Sequence, residues 1–577
     1  MRNCKTAQKQ RIFFVFVIVI LCSFLLSARL VYLMVIKADH YAQKAKEVQQ
    51  RERAIKAERG KIYDRNGILI AANKPVSTIS VIHNQIKDKE TVIRNLSVLL
   101  DIDEEKVRKR VEKKSSREKI KSNVEKNISD QIRKLNMAGV MVDEDYKRYY
   151  PYGSLASKVI GFAGGDNQGI LGLEATYDSM LAGQDGSILT STNARGIEIE
   201  GAVENRIEPV AGNDLYCSLD VNLQKFAQQE ADKVMKAKKA KNVRIIMMNP
   251  QDGQIYAMVN LPEFDLNDPY KTDQKVRLSE KGTQDYLNQK WRNHCVSDTY
   301  EPGSTFKVIT AASALEANVV KLNDTFQCPG YKVVEDRRIR CHKTTGHGTE
   351  TFVQGVQNSC NPVFMEVGAR LGTERLFQYL QKFGVLEKTG IDLSGEAATI
   401  MHQKKNVGAV ELATMTFGQS FQLTPLRLLT SVSAVINGGR LVTPHVGVCM
   451  ENIQQSYVRK LKYKEKADVL SSQTSETMKE ILASVVSEGS GKKAAVSGYD
   501  VGAKTGTSEK LPRSSNKYSA STLGFAPAKN PIVLAIVLID EPEGIYYGGQ
   551  IAAPVISKLL DNALPYLGAK RSVQKKK

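Results

Sequence analysis

None of the eight cysteines stands in a C-x-x-C pair, so zinc ribbons and thioredoxin-like redox motifs are disfavoured. Eight in 577 residues are also far too few for a disulfide scaffold. No segment repeats at a period of roughly 20 to 50 residues, which excludes solenoids and propellers. Acidic side chains are in deficit: 62 Asp plus Glu stand against 82 Lys plus Arg, a net charge of +20. Such a chain suits anionic surroundings, and composition does not choose among nucleic acid, anionic lipid and anionic cell wall. With 42% hydrophobic and 25% charged residues it is neither disordered, collagenous nor polytopic. Its length fits two or three domains.

The first forty residues choose the compartment. Arg2, Lys5, Lys9 and Arg11 precede an uncharged stretch from Ile12 to Ala28, and after Arg29 the apolar run continues from Leu30 to Ile36. About 20 apolar residues cross a bilayer as a helix, and the segment reaches that length if Arg29 snorkels to the interface. A cleaved signal peptide needs a shorter core and a small-residue site, and Ser27-Ala28-Arg29 is a poor one. Residues 12–36 are therefore read as an uncleaved anchor. The four basic residues place 1–11 in the cytoplasm and everything after 37 outside, which makes nucleic acid an improbable partner.

Behind the anchor, Asp39 to Lys56 is polar and helix-prone. Asn66-Gly67 between apolar flanks signals a tight hairpin, since both residues tolerate positive φ. Asp101 to Asn136 carries charges at helical spacing and reads as a solvated helical subdomain. A Gly-rich stretch from Gly161 to Gly186 and a linker-like Pro209 to Asp214 precede a helix-length pattern from Asp220 to Lys236. The boundary is placed near 213, giving domains at 37–213 and 214–567 and a basic tail at 568–577.

Three weak motifs gain meaning from order. Ser304-Thr305-Phe306-Lys307 follows the chain break Pro302-Gly303 and opens an apolar, Ala-rich segment, so Ser304 is expected in the first turn of a helix. Residues three apart share a helix face, and a neutral Lys307 then accepts the hydroxyl proton. The same spacing at Ser116, Ser490, Ser514 and Ser572 lies in polar or basic sequence and reads as solvated pairs. Ser359-Cys360-Asn361 is the second element, with Ser-x-Asn copies at Ser191 and Ser514. Lys504-Thr505-Gly506-Thr507 is the third, ahead of the β-branched run Ile532 to Ile539, which suits a strand beside another strand. Lys388-Thr389-Gly390 is an upstream copy in a turn-like context.

Ser-x-x-Lys, Ser-x-Asn and Lys-Thr-Gly in this order mark penicillin-binding proteins and class A β-lactamases. The chain resembles a class B penicillin-binding protein over nearly its whole length, most closely the sporulation and division branch of Gram-positive bacteria. Arg59 to Ala71, Arg148-Tyr149-Tyr150-Pro151, Gly172-Leu173-Glu174, Gly418-Gln419, Thr424-Pro425, Tyr547-Gly548-Gly549 and Ala553-Pro554 extend the likeness. The resemblance implies an α+β multidomain chain. A transmembrane helix leads into a β-rich, dimerisation-type pedestal with a helical head, then a serine β-lactamase-like transpeptidase domain with an antiparallel sheet flanked by helices.

The implied activity is D,D-transpeptidation of stem peptides ending in D-Ala-D-Ala. Ser304 is the nucleophile, Lys307 the base, Ser359 a proton relay and Asn361 a positioning group. Lys504, Thr505, Gly506 and Thr507 bind the terminal carboxylate, with the backbone N–H groups of Ser304 and Thr507 as oxyanion hole. Implied partners are peptidoglycan stem peptides, β-lactams, a membrane glycan polymerase with its division or sporulation complex, and a second copy of the chain. No cofactor or metal is called for, and Cys341, His342 and His347 read as a loop. A hydrolase (carboxypeptidase or β-lactamase) and a non-catalytic scaffold or β-lactam receptor are the alternatives. Cys360 replaces the Asp usual in β-lactamases. Ala503 stands where the family commonly has Gly, and its methyl is expected to alter β-lactam access. Outside the cytoplasm a Cys341–Cys360 disulfide is the favoured pairing, set against three separately packed thiols.

Overall fold

The computed structural model describes residues 2–41, 44, 50–115, 117–191, 205–272, 279–452 and 456–571, and it divides into two compact units. Most of the expected basic tail, 572–577, lies outside the described residues, as do Ser116 and Ser572.

The first unit comprises Met1–Glu58, Lys74–Lys147 and Gly183–Ala211. It begins with the helix Arg2–Val31, which continues as a π-helical turn over Tyr32–Ile36. Its segment Gln8–Ile36 is 29 residues long and contains an 18-residue window of mean hydropathy 2.6, none of it buried, so it is long and apolar enough to cross a membrane. Further on, the strand Glu118–Glu125 pairs antiparallel with residues 76–81. The helices Lys89–Leu100, Glu104–Val111 and Lys126–Lys134 close a core of Ile79, Val81, Ile93, Leu96, Val107, Ile120 and Val124. Asp88 and Asp103 cap the first two of these helices by accepting from the Thr91 and Glu105 amides.

Two helical expectations are corrected here. Residues 118–125 form a strand because Ile120 and Val124, four apart, share a face in either period, and the sheet partner decides. Residues Gln50–Ile55 are likewise a strand, paired with Gly186–Ser191.

The second unit comprises Arg59–Asn73, Arg148–Ala182 and Gly212–Lys577. Segments 59–73 and 148–182, placed in the pedestal from sequence, join the rest of this unit where Ile62 and Tyr63 pair in parallel with Leu215 and Tyr216 and where the Tyr150 amide donates to Asn267 Oδ1 at 3.0 Å, and a buried ion cluster ties the two segments to each other. Fully buried Glu174 accepts from Arg59 Nε at 2.6 Å and from Arg148 Nε at 2.7 Å, while Arg59 also reaches Asp178 at 2.7 Å. The expected hairpin is present: Asp64 Oδ1 accepts from the amides of Asn66 and Ile68, and Gly67 takes φ +79°.

In chain order the main elements are α1 Val221–Lys238, β1 Asn242–Met248, β2 Ile255–Leu261, α2 Lys307–Glu316, α3 Phe352–Gln357 and α4 Asn361–Lys382. They continue with α5 Pro425–Ile436, α6 Ser472–Ser487, β3 Gly502–Glu509, β4 Tyr518–Ala526, β5 Val533–Asp540 and α7 Ala553–Tyr566. The strands form an antiparallel sheet in the order β2-β1-β5-β4-β3, with β3 at an edge. Alternation sorts its two faces. Ala535, Val537 and Ile539 pack with α1 and α7, whereas Leu534, Ile536 and Leu538 belong to the core that holds α2, α5 and α6. A sheet covered on both faces reads as a continuous apolar run, which is what 532–539 is.

Candidate active site

Ser304 occupies a single 3₁₀ turn, Gly303–Phe306, that runs directly into α2, whose first residue is Lys307. The expected helix therefore begins one turn later than the break at Pro302-Gly303 suggests. Gly303 takes φ +56° and donates its amide to the Gly418 carbonyl at 2.9 Å. Gly418 has φ +84°, and a Cβ there would lie 2.1 Å from the Gly303 oxygen, so no side chain fits behind the serine turn. On the strand side, a Cβ on Gly506 would meet Ser521 Oγ at 2.7 Å and Thr305 Cγ2 at 2.9 Å. Two glycines thus let the backbone of the serine turn approach both a loop and the edge strand.

Lys307 and Lys504 are fully buried. Lys307 Nζ donates to Ser359 O at 2.6 Å and Asn361 Oδ1 at 2.7 Å, and it lies 3.3 Å from Ser359 Oγ. From the other side Lys504 Nζ donates to Ser359 Oγ at 2.8 Å. One hydroxyl therefore bridges two ammonium groups. Burial pushes Lys307 down to about 8 despite neighbouring acidic groups that pull the other way. Lys504 is pushed well below the usual lysine range, by burial first and by the charge of Lys307 second. Ser359 sits between these lysines at φ +55°, a left-handed conformation uncommon for a residue with a side chain.

The remaining groups line a cleft of about 620 Å³ that includes Ser304, Ser359, Asn361, Thr505, Gly506 and Thr507. All three motifs therefore meet there or directly against its lining. Lys388 does not: it is exposed in a turn fixed by Glu396, which accepts from the Thr389 amide at 2.6 Å. The Ser-x-x-Lys copy at Ser490 is solvent-exposed as expected, but its place was not foreseen: Ser490 and Lys493 both line the cleft. Thr505 Oγ1 donates to Ser490 Oγ at 3.3 Å, and Ser490 Oγ donates to the Gln357 carbonyl at 3.0 Å. Nothing local in Ser490-Gly491-Lys492-Lys493 distinguishes it from a solvated pair. Tyr518, stacked on Tyr546 at 4.0 Å between ring centroids, adds an aromatic wall that had no motif to announce it. Ala503 is buried in the core shared with α1 and α7 and is not among the residues that line the cleft.

Cys360 is fully buried at the start of α4. Cys328, Cys341 and Cys360 are free thiols in this structure, which brings them together without a Cys341–Cys360 bond. The stretch 341–347 is a loop, as expected, between the strands Arg337–Arg340 and Gly348–Thr351. His342 lines the cleft, whereas Cys341 and His347 converge with Cys328 and Cys360 so that all four donor atoms lie within 4.8 Å of one another.

Comparison with known proteins matches residues 243–561 to the penicillin-binding protein transpeptidase domain and residues 54–217 to the penicillin-binding protein dimerisation domain. Stage V sporulation protein D of Bacillus subtilis is 38% identical over 99% of this chain and 88% of its own length. The probable peptidoglycan D,D-transpeptidase PenA of Neisseria gonorrhoeae is 29% identical over 94% of this chain and 90% of its own. Among solved structures, penicillin-binding protein 2X of Streptococcus thermophilus superposes with a TM-score of 0.74 at 22% identity, covering 89% of this chain and 80% of that one, and so shares the fold.

Proposed function

The chain belongs to the penicillin-binding protein transpeptidase family as a peptidoglycan D,D-transpeptidase of division or sporulation, and on that premise we propose that it works through an acyl-enzyme on Ser304. The observation that carries this reading is the pair of buried lysines sharing Ser359 Oγ beside the serine turn.

Ser304 Oγ attacks the penultimate carbonyl of the stem peptide while neutral Lys307 takes its proton. The new C–O bond replaces the C–N bond to the terminal D-Ala, and Ser359 passes a proton to that leaving amine. An amine from a second strand then attacks the ester carbonyl, the C–O bond breaks, and the proton returns to Ser304. The covalent intermediate splits a hard amide exchange into two easier steps. A lysine near 8 suits this work at neutral pH, since enough is neutral to accept a proton and the conjugate acid still donates one. Lys504, Thr505 and Thr507 hold the terminal carboxylate, which restores a counter-charge to Lys504 in a dry site. The backbone N–H groups of Ser304 and Thr507 receive the oxyanion, where one donor is worth about 3 kcal/mol. Asn361 orients Lys307, as its 2.7 Å contact allows. Gly506 acts through its missing side chain, which admits the serine turn.

The N-terminal helix anchors the chain, with four basic residues holding 1–11 in the cytoplasm and the second unit outside. A glycan polymerase in the same membrane supplies the strands, and residues 37–213 serve as the pedestal that meets it or a second copy of the chain. One experiment tests chemistry and topology together. A membrane-impermeant fluorescent penicillin should label the parent on intact spheroplasts, and Ser304→Ala should abolish the label. Label persisting in the variant removes Ser304 as nucleophile, and label appearing only after lysis reverses the topology.

A further inference from the structure

Three thiols and an imidazole meet in the second unit beside the Ser359 loop. His347 Nδ1 lies 3.5 Å from Cys328 Sγ and 3.7 Å from Cys341 Sγ, and these three atoms with Cys360 Sγ all lie within 4.8 Å of one another. A tetrahedral zinc with Zn–S near 2.3 Å and Zn–N near 2.0–2.1 Å has N···S edges of about 3.6 Å and S···S edges of about 3.8 Å. The observed N···S separations match those edges. Packing alone does not call for this convergence. Small buried thiols pack singly wherever they fit, whereas here the donors come from three separate pieces of chain, a strand end, one loop and a helix start. Cys328 ends the strand Thr325–Cys328, Cys341 follows the hairpin strand Arg337–Arg340, His347 precedes the strand Gly348–Thr351, and Cys360 caps α4.

We propose that Cys328, Cys341, His347 and Cys360 bind one zinc ion as a closed structural site, and that the loaded site holds Ser359 and Asn361 in their working positions. Three sulfurs and one imidazole nitrogen favour a borderline-soft ion such as zinc over magnesium or calcium. Four protein ligands leave no open position, so the ion is structural rather than a source of activated water.

The link to the cleft is short. Cys360 lies between Ser359 and Asn361, and its amide is held by the Gly355 carbonyl at 2.9 Å. The segment that delivers Cys341 also holds Asn361, whose Nδ2 donates to the Arg340 carbonyl at 3.1 Å. One ion therefore ties the left-handed Ser359 and the Asn361 side chain to the hairpin beside them. It also competes for the two sulfurs that a Cys341–Cys360 disulfide would use. The coupling to acylation rests on Ser304 as nucleophile, whereas the metal site does not.

The test is metal analysis of the full chain purified in detergent from zinc-supplemented cells without chelator. About one zinc per chain is expected, and replacement by Co²⁺ should give the thiolate charge-transfer and intense visible bands of a tetrahedral site. Cys328→Ser and His347→Ala should lose the metal, while His347→Cys, which keeps four soft ligands, should retain it. Stripping the parent with a chelator should slow acylation by fluorescent penicillin about tenfold or more, and added ZnCl₂ should restore it. No zinc in the reduced, folded chain even after reconstitution overturns the site, as does a Cys341–Cys360 disulfide in the isolated protein or full zinc in His347→Ala. Zinc bound through these residues with acylation unchanged on its removal overturns the coupling. Label surviving in Ser304→Ala instead strikes the nucleophile assignment and leaves the metal result standing.

Discussion

Lys307 is buried among acceptors that share its ammonium, and the loss of water sets its chemistry. Its lowered value near 8 means that the charged form, which cannot accept the Ser304 proton, dominates below that pH. The rate constant for penicillin acylation should therefore climb about tenfold per pH unit in the acid range and level off above pH 8. A flat profile, or a rise that continues to the pH of an ordinary lysine, would show that another group takes the proton. Lys504 and Lys388 begin the same tripeptide and should behave oppositely. Lys504→Ala removes a desolvated cation from the carboxylate, worth about 2–5 kcal/mol, or roughly 30-fold or more in acylation. Lys388→Ala, in an exposed turn, should match the parent; the reverse ranking contradicts the assignment. These residues were legible because Pro302-Gly303 marks one Ser-x-x-Lys among several and the three motifs occur in order. Ser490 was not, since only the fold brings its exposed hydroxyl to Thr505. The cysteine and histidine donors were equally hidden. They stand 13, 6 and 13 residues apart, and two hairpins rather than a C-x-x-C knuckle close the set.

Elements explain why the motifs converge. β3 is an edge strand, so Lys504 to Thr507 pair with β4 on one side and face the serine turn on the other. That strand was readable from the β-branched run behind it, because a sheet buried on both faces leaves an apolar signature. The strand at 118–125 was not, because Ile120 and Val124 satisfy both periods and the polar residues between them, Lys121, Ser122 and Asn123, fit a solvated face in either. Long-range tethering was legible only as motif. Arg59, Arg148 and Glu174 are far apart in sequence, and their meeting in one buried cluster explains why those stretches carry a family signature. Glu174→Ala leaves two buried guanidinium groups facing each other and should destabilise the second unit by about 3–5 kcal/mol. Chemical denaturation of the full chain in detergent measures this, and a loss below about 1 kcal/mol would mean that other partners compensate.

At the scale of the molecule, an apolar N-terminal helix opens the first of two compact units, and the residues with acyl-transfer chemistry lie in the second. The domain order was visible from the anchor, the linker-like 209–214 and the motif positions. The interleaving of 59–73 and 148–182 with the catalytic unit was not, since chain order carries no trace of a segment that returns to another core. A hydrolase and a transpeptidase share the acyl-enzyme and differ only in what resolves it, so penicillin labelling alone does not separate them. The direct measurement incubates the full chain in detergent with uncross-linked glycan strands bearing pentapeptide stems, then separates the muropeptides after digestion. Cross-linked dimers that appear with the parent and vanish with Ser304→Ala are the predicted result. Stems trimmed of their terminal D-Ala without dimers, or dimers that persist in Ser304→Ala, would contradict it.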